Sequence, residues 1–136
     1  MNAKPPANRQ LVMGTVLNLA VAAVLLLDAA MQFVQPAPLI EAMKQTGFQP
    51  NVGPLLAAIM TICALTLAIP RTSLLGAILT TGFLGGAIAA HVRIGEITAG
   101  PQLFCVLMGA AVWGGLYLRD ERLRKLLSLG RQNVVA

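Results

Sequence analysis

Charged side chains are scarce in this chain. Aspartate, glutamate, lysine and arginine make up 11% of its 136 residues, whereas an ordinary soluble domain has about 25%. A chain with so few charges cannot cover a water-facing surface. Apolar residues make up 57% of the sequence, and they are gathered into long blocks separated by short polar stretches. This pattern is typical of membrane spans and not of a soluble core.

Aromatic residues and cysteines are also few, and their scarcity excludes several kinds of site. The net charge of +5 does not indicate a nucleic-acid partner, because a basic groove interleaves its cations with aromatic side chains. The two cysteines, Cys63 and Cys105, lie inside apolar blocks without CxxC spacing. The sequence therefore has neither a thioredoxin-like motif nor a metal site, and we interpret both cysteines as packing residues.

Four segments are almost free of charge: residues 11–34, 52–69, 72–92 and 101–118. Each is close to the ~20 residues that a helix needs to cross ~30 Å of hydrocarbon. None alternates apolar and polar residues as the strands of a membrane barrel do. The sequence predicts an all-α protein, a four-transmembrane-helix bundle formed by a single membrane domain over residues 1–136, with a basic tail at 119–136.

Lysine and arginine are concentrated on one side of the predicted bundle. Eight of the ten lie in the N-terminal tail, the second turn and the C-terminal tail: Lys4, Arg9, Arg71, Arg119, Arg122, Arg124, Lys125 and Arg131. The first and third loops hold only Lys44 and Arg93. Because positive residues are retained on the cytoplasmic side, both termini are predicted to be cytoplasmic and these two loops to lie outside.

The long first loop has a pattern of its own at residues 38–46. One helical face would be polar and the other apolar, the apolar face consisting of Leu39, Ile40 and Met43. Gly47 follows where a C-terminal cap is expected. We predict a short amphipathic helix at the outer interface, with an ordinary connector as the alternative.

The third segment is rich in small residues. The spacing Gly82-x-x-x-Gly86 allows another helix backbone to approach closely, and Gly114 in the fourth segment offers a matching small surface. These glycines are predicted to be helix-packing residues. The contact could form within one chain or between two chains of a homodimer.

Ionisable groups inside a span are candidates for function, because a charge at the helix centre costs about 2.5–3.5 kcal/mol. Asp28 lies near the outer end of the first segment, with Gln32 one turn further on. His91, Arg93 and Glu96 lie at a similar depth at the end of the third segment. At 100° per residue, His91 and Arg93 point about 200° apart, so both cannot face Asp28 on a continuous helix.

Two interpretations of these five residues stay open. In the first, Asp28 pairs with Arg93 or with protonated His91, and the ion pair only fixes the orientation of the helices. In the second, the groups form an outward-facing polar pocket that receives a head group, a quinone oxygen or a proton. Haem is not expected, because His91 would need a second ligand from another subunit and CxxCH is absent.

Three long segments resemble the DoxX-like family of small four-helix membrane proteins. They are IPRTSLLGAILTTGFLGGAIAAHVRIGE at 69–96, GGLYLRDERLR at 114–124 and LLDAAMQFVQPAP at 26–38. The resemblance implies a four-helix bundle in the cytoplasmic (inner) membrane of a bacterium. It also implies Asp28, His91 and Arg93 as the recurring polar positions. Relatives often have a lysine where this chain has Gln32, which puts any lysine-dependent role in doubt.

The resemblance implies less about activity. Some relatives pass electrons from sulfur compounds to quinone or work with thiol and oxidative-stress enzymes, and many have no assigned reaction. The first hypothesis is therefore an accessory redox-type subunit that binds a quinone or another hydrophobic small molecule, with a redox partner protein supplying electrons. The alternative is a non-catalytic module that binds membrane lipids or amphiphiles, or that acts as a scaffold.

Overall fold

The computed structural model of the chain describes residues 8–97 and 100–133, and within them it contains helices and no strands. In chain order the helices are α1 Asn8–Val34, α2 Ala37–Gln45, α3 Gly53–Ala68, α4 Ser73–Arg93, α5 Gly100–Arg119 and α6 Glu121–Asn133. A 3₁₀ turn, Pro50–Val52, leads into α3. Four of these helices, α1, α3, α4 and α5, are long and apolar enough to cross a membrane. The predicted all-helical architecture is confirmed for the described residues, with four helices that qualify as membrane spans by length and composition.

The four long helices form a square bundle in which α1 and α4 occupy opposite corners. Helix α1 packs against α3 and α5, and α4 packs against the same two helices. Because consecutive spans run in opposite directions, α1 and α4 are parallel, and their C-terminal ends lie at the same end of the bundle. Asp28 and His91 are therefore at a similar depth but on diagonal helices.

Close helix contacts in this bundle depend on glycines other than the predicted ones. A Cβ atom on Gly76 of α4 would overlap the backbone of Leu67 at the end of α3, and one on Gly14 of α1 would overlap the Gly115 carbonyl of α5. The backbones touch at these two points because no side chain separates them. The end of the bundle opposite α2 is thereby closely packed.

The predicted glycine contact is absent within the described part of the chain. A Cβ atom on Gly82, Gly86 or Gly114 would meet no atom within 4 Å. Gly82 lies about 120° around α4 from Gly76, the residue that does contact α3, at 100° per residue. Contact of these glycines with a second chain stays a prediction.

The first loop contains the short helix α2, whose Met43 is buried. Gly47 follows it with a φ of +80°, a left-handed conformation that suits glycine after a helix end. The turn before α2 is fixed by Gln35, whose side-chain amide donates to the Pro50 carbonyl ahead of α3. The position of α2 at the interface on the outer side of the membrane stays a prediction, and so does the cytoplasmic location of both termini.

The basic segment after α5 continues as helix α6. The Asp120 side chain accepts a hydrogen bond from the backbone N–H of Arg122 at 2.8 Å, which caps the start of the helix. Leu123 is buried against the bundle, whereas Leu126 and Leu127 are exposed. The helix is thus attached to the bundle by its first turn.

The outward surface of the four long helices is apolar. Large side chains are exposed along all of them, among them Leu27 on α1, Leu55 on α3, Leu75 on α4 and Leu103 on α5. A soluble monomer rarely exposes apolar patches of this extent. Lipid is the solvent that such a surface matches.

Candidate functional site

A cavity of about 840 Å³ lies among the long helices, at the end of the bundle that α2 covers. Its wall is mostly apolar and includes Leu25, Met60, Phe83, Phe104 and Met108. Pockets for small organic ligands have volumes of about 300–1,000 Å³ and walls of this kind. The cavity is large enough for a substituted aromatic ring with part of an alkyl tail.

The small residues of α4 create much of this space. Gly82, Gly86, Ala87 and Ala90 all line the cavity, and because they have no large side chains, the space between α4 and α1 across the bundle stays unfilled. The glycines that were predicted to bring helices together therefore leave the gap between the diagonal helices open. Nothing in the spacing of the sequence distinguishes these two uses of a glycine pair.

Three of the five predicted polar site residues line this cavity: Asp28, Gln32 and His91. Asp28 and Gln32 are four residues apart on α1 and so share one helical face. His91 comes from the last turn of α4. Arg93 and Glu96 are not part of the wall, and they act on the site through their partners.

The predicted ion pair between Asp28 and a cation of α4 does not form. Among residues 8–97 and 100–133, Asp28 has no ion pair or hydrogen bond. The Arg93 guanidinium instead donates to the Thr46 carbonyl at 2.9 Å, and His91 pairs with Glu96. The physical reason is that α1 and α4 lie diagonally across the bundle. The sequence indicates how deep each residue lies in the membrane, but it does not indicate which helices are neighbours.

Gln32 is the second polar group of α1 in the cavity wall, and it is only 9% exposed. Its amide oxygen, Oε1, has no hydrogen-bond partner within the described residues. Leaving a buried acceptor unpaired costs about 1–3 kcal/mol. A buried amide oxygen in a cavity wall is therefore an observation that points to a ligand.

His91 is held by Glu96, which lies just beyond the end of α4. Gly95 has a φ of +83°, and this turn brings the Glu96 carboxylate back to 2.6 Å from His91 Nδ1. Because an ionised carboxylate only accepts, Nδ1 donates, and Nε2 is left as the ring nitrogen for another partner. Glu96 thus orients the imidazole that lines the cavity.

Arg93 links the end of α4 to the segment that covers the cavity. Its guanidinium bonds the Thr46 carbonyl and lies against Gly47, where a Cβ atom would collide with it. Thr46 itself lines the cavity. Arg93 therefore positions the wall without contacting the interior.

Both cysteines also line the cavity, a role that sequence analysis missed. Cys63 of α3 is 2% exposed and belongs to the hydrophobic core, while Cys105 of α5 is only partly buried. Both cysteines pack with the hydrophobic core, as the sequence predicted, and both also line the cavity. Within the described ranges, no cluster of three or more potential metal ligands is present.

Comparison with known proteins gives one clear relationship. The model of the DoxX-like family matches residues 16–115, a segment that includes every polar residue of the cavity wall. No curated protein and no solved structure is significantly similar to the chain. The match covers most of the sequence, and the four long apolar helices agree with it. The chain is an integral membrane protein and belongs to the DoxX-like family.

Proposed function

We propose that this protein binds a quinone or a hydrophobic small molecule of similar size in the cavity, as an accessory subunit of a membrane redox system. The observation that carries the proposal is an apolar cavity of about 840 Å³ with two unpaired polar groups, Asp28 and Gln32, in its wall. The apolar wall would take a ring and tail from the bilayer. The polar groups would fix the orientation of the ring.

Two groups on opposite sides of the cavity can exchange protons with a bound ligand. Asp28 contributes a carboxylate from α1, and His91, oriented by Glu96, contributes an imidazole from α4. A quinone takes up or releases protons when its redox state changes, and these two groups could exchange them with its oxygens. Electrons would come from a redox partner protein.

The side of the membrane follows from the distribution of positive charge. The loops at the cavity end of the bundle hold only Lys44 and Arg93 of the chain's ten lysines and arginines. By the positive-inside rule, this distribution supports a cavity that faces the outer side and termini that lie in the cytoplasm. We place the protein accordingly in the cytoplasmic membrane of a bacterium.

A second candidate is a non-catalytic module that binds lipid or amphiphile, or that holds a partner or a second copy of itself. The observation that favours it is the open space beside Gly114 and Gly85, where a Cβ atom would meet nothing within 4 Å. Small residues of this kind allow a second membrane helix to approach. The two candidates differ in whether quinone-linked turnover occurs.

Binding can be tested with decylubiquinone and the full chain in lipid nanodiscs, using nanodiscs without protein as the blank. The test variant is Gly86→Leu, because Gly86 lines the cavity, and the matched control is Gly85→Leu on the same helix, which does not. We expect saturable binding to the wild type and the control, and loss of binding in Gly86→Leu. Equal binding by both variants would refute the cavity as the site.

The redox role needs a separate measurement in native membranes. Asp28→Asn and His91→Ala should abolish quinone-linked turnover while the amount of folded protein in the membrane stays unchanged. Binding without any turnover in the wild type would favour the second candidate.

A further inference from the structure

We infer that the ligand of this cavity has a polar head that donates hydrogen bonds, such as the hydroxyls of a reduced quinone. The inference rests on the ligand-binding proposal above and deepens it. It follows from a count of acceptors and donors in the cavity wall. For a quinone, it means that the reduced form is held more tightly than the oxidised form.

Two unpaired groups of α1 in the cavity wall can accept hydrogen bonds. An ionised Asp28 carboxylate has no donor, and the unpaired atom of Gln32 is the amide oxygen Oε1. Side chains four residues apart on a helix are neighbours, with about 5–6 Å between Cβ atoms. One head group with hydroxyls can therefore reach both acceptors.

Apart from the amide nitrogen of Gln32, which forms no hydrogen bond within the described residues, the donors close to the cavity have partners elsewhere. The Thr46 hydroxyl donates to the Ala42 and Met43 carbonyls, and the Arg93 guanidinium donates to the Thr46 carbonyl. His91 Nδ1 is occupied by Glu96. A head group that only accepts hydrogen bonds would thus leave Asp28 and Gln32 Oε1 without partners.

The charges at the cavity lead to the same conclusion. No lysine or arginine is found among the described residues of the wall. The charge of a protonated His91 would be balanced by Glu96, so that an ionised Asp28 has no counterion among the described residues. An anionic head, such as a fatty-acid carboxylate, would face an ionised Asp28 at close range, and the two like charges would repel each other.

Two ligand pairs with matched tails test the inference in nanodiscs under anaerobic conditions. The first pair is decylubiquinol and its dimethyl ether, which has a similar shape but no hydroxyl donors. The second is decylammonium and decanoate, which differ in the sign of the head. We expect decylubiquinol to bind about tenfold more tightly than its ether, the effect of a hydrogen bond to a charged group. Decylammonium should bind and decanoate should not.

Variants of Asp28 and Gln32 test whether these two acceptors cause the preference for decylubiquinol over its dimethyl ether. Asp28→Ala should reduce the preference for decylubiquinol over its ether to about twofold or less, because the stronger acceptor is gone. Gln32→Leu should reduce it in the same direction, and it provides a second readout if Asp28→Ala does not fold. Asp120→Ala, which changes a carboxylate outside the cavity, is the control and should leave the preference unchanged.

The outcomes separate this inference from the proposed function. Equal binding of decylubiquinol and its ether by the wild type, or binding of decanoate over decylammonium, would overturn the inference while the cavity stays a ligand site. Failure of all four ligands and of decylubiquinone to bind would overturn both.

Discussion

The Arg93 guanidinium donates a hydrogen bond to the Thr46 carbonyl at 2.9 Å. This bond joins the last turn of α4 to the residue after α2 across 47 positions of sequence. It removes the cation from the interior of the cavity and fixes the segment that covers it. Asp28 is left as a carboxylate without a partner among the described residues, and we propose the ligand as its partner.

Arg93→Ala should loosen α2 and leave the bundle intact. The lost bond is exposed, so we expect the free energy of unfolding to fall by about 1 kcal/mol or less. We also expect backbone amides to exchange faster in residues 37–48 and not elsewhere. Hydrogen–deuterium exchange with mass spectrometry measures this. Arg71→Ala, an exposed arginine at the other end of the bundle, is the control. Unchanged exchange in α2 would show that the bond does not hold the cover.

Asp28→Leu should stabilise the folded protein in the absence of ligand. The substitution removes a carboxylate that has no partner among the described residues, and a charge in a span is unfavourable by up to about 3 kcal/mol. We expect an increase of about 1 kcal/mol in the free energy of unfolding, measured by denaturation in mild detergent. If Asp28 formed a structural ion pair, the same variant would be destabilised, so the sign of the change distinguishes the two interpretations.

Two glycines of α4 should respond to alanine in opposite ways. Gly76→Ala places a methyl group into the backbone of Leu67, so the helices must separate, and we expect a loss of about 1–3 kcal/mol. Gly85→Ala meets no neighbour and improves helix propensity, with a gain of about 0.5–1 kcal/mol. Thermal unfolding of both variants checks this, and similar melting temperatures would contradict the packing described here.

Much of the fold can be predicted from the sequence because a helix that crosses hydrocarbon must be long and nearly free of charge. Few charges and long apolar blocks predict four spans, and α1, α3, α4 and α5 match the predicted segments to within a few residues. The spacing of Asp28 and Gln32 on α1 also predicts that both face one site, and both line the cavity.

The partners of the polar residues could not be predicted in the same way. Sequence gives the depth of Asp28 and His91 in the membrane, but it does not say which helices are adjacent in the bundle. Arg93 bonds Thr46 because α2 folds back over the end of the bundle, a long-range contact without a local signal. The Gly82 and Gly86 pair was equally ambiguous, since small residues can either bring helices together or leave a cavity.

The orientation in the membrane can be tested with reporters. We expect a fluorescent protein fused after Ala136 to be bright, because the C-terminus is predicted to be cytoplasmic, where such a protein folds. Alkaline phosphatase fused after Lys44 should be active, because it requires export to the outer side. The positive-inside rule is the physical basis of both expectations. The reverse pattern would place the cavity on the cytoplasmic side and would contradict the proposed outward-facing site.

Cys105 should report directly on whether the cavity is occupied. Its thiol lines the cavity and is partly accessible, whereas Cys63 is 2% exposed. A neutral, membrane-permeant maleimide should therefore modify Cys105 much faster than Cys63, as mass spectrometry of the digested protein can measure. Saturating decylubiquinone should slow the reaction at Cys105 in the wild type but not in Gly86→Leu, where the leucine side chain projects into the cavity and obstructs the ligand. Loss of the fast phase in Cys105→Ser would confirm the assignment, and a rate that the ligand does not change would place the ligand elsewhere.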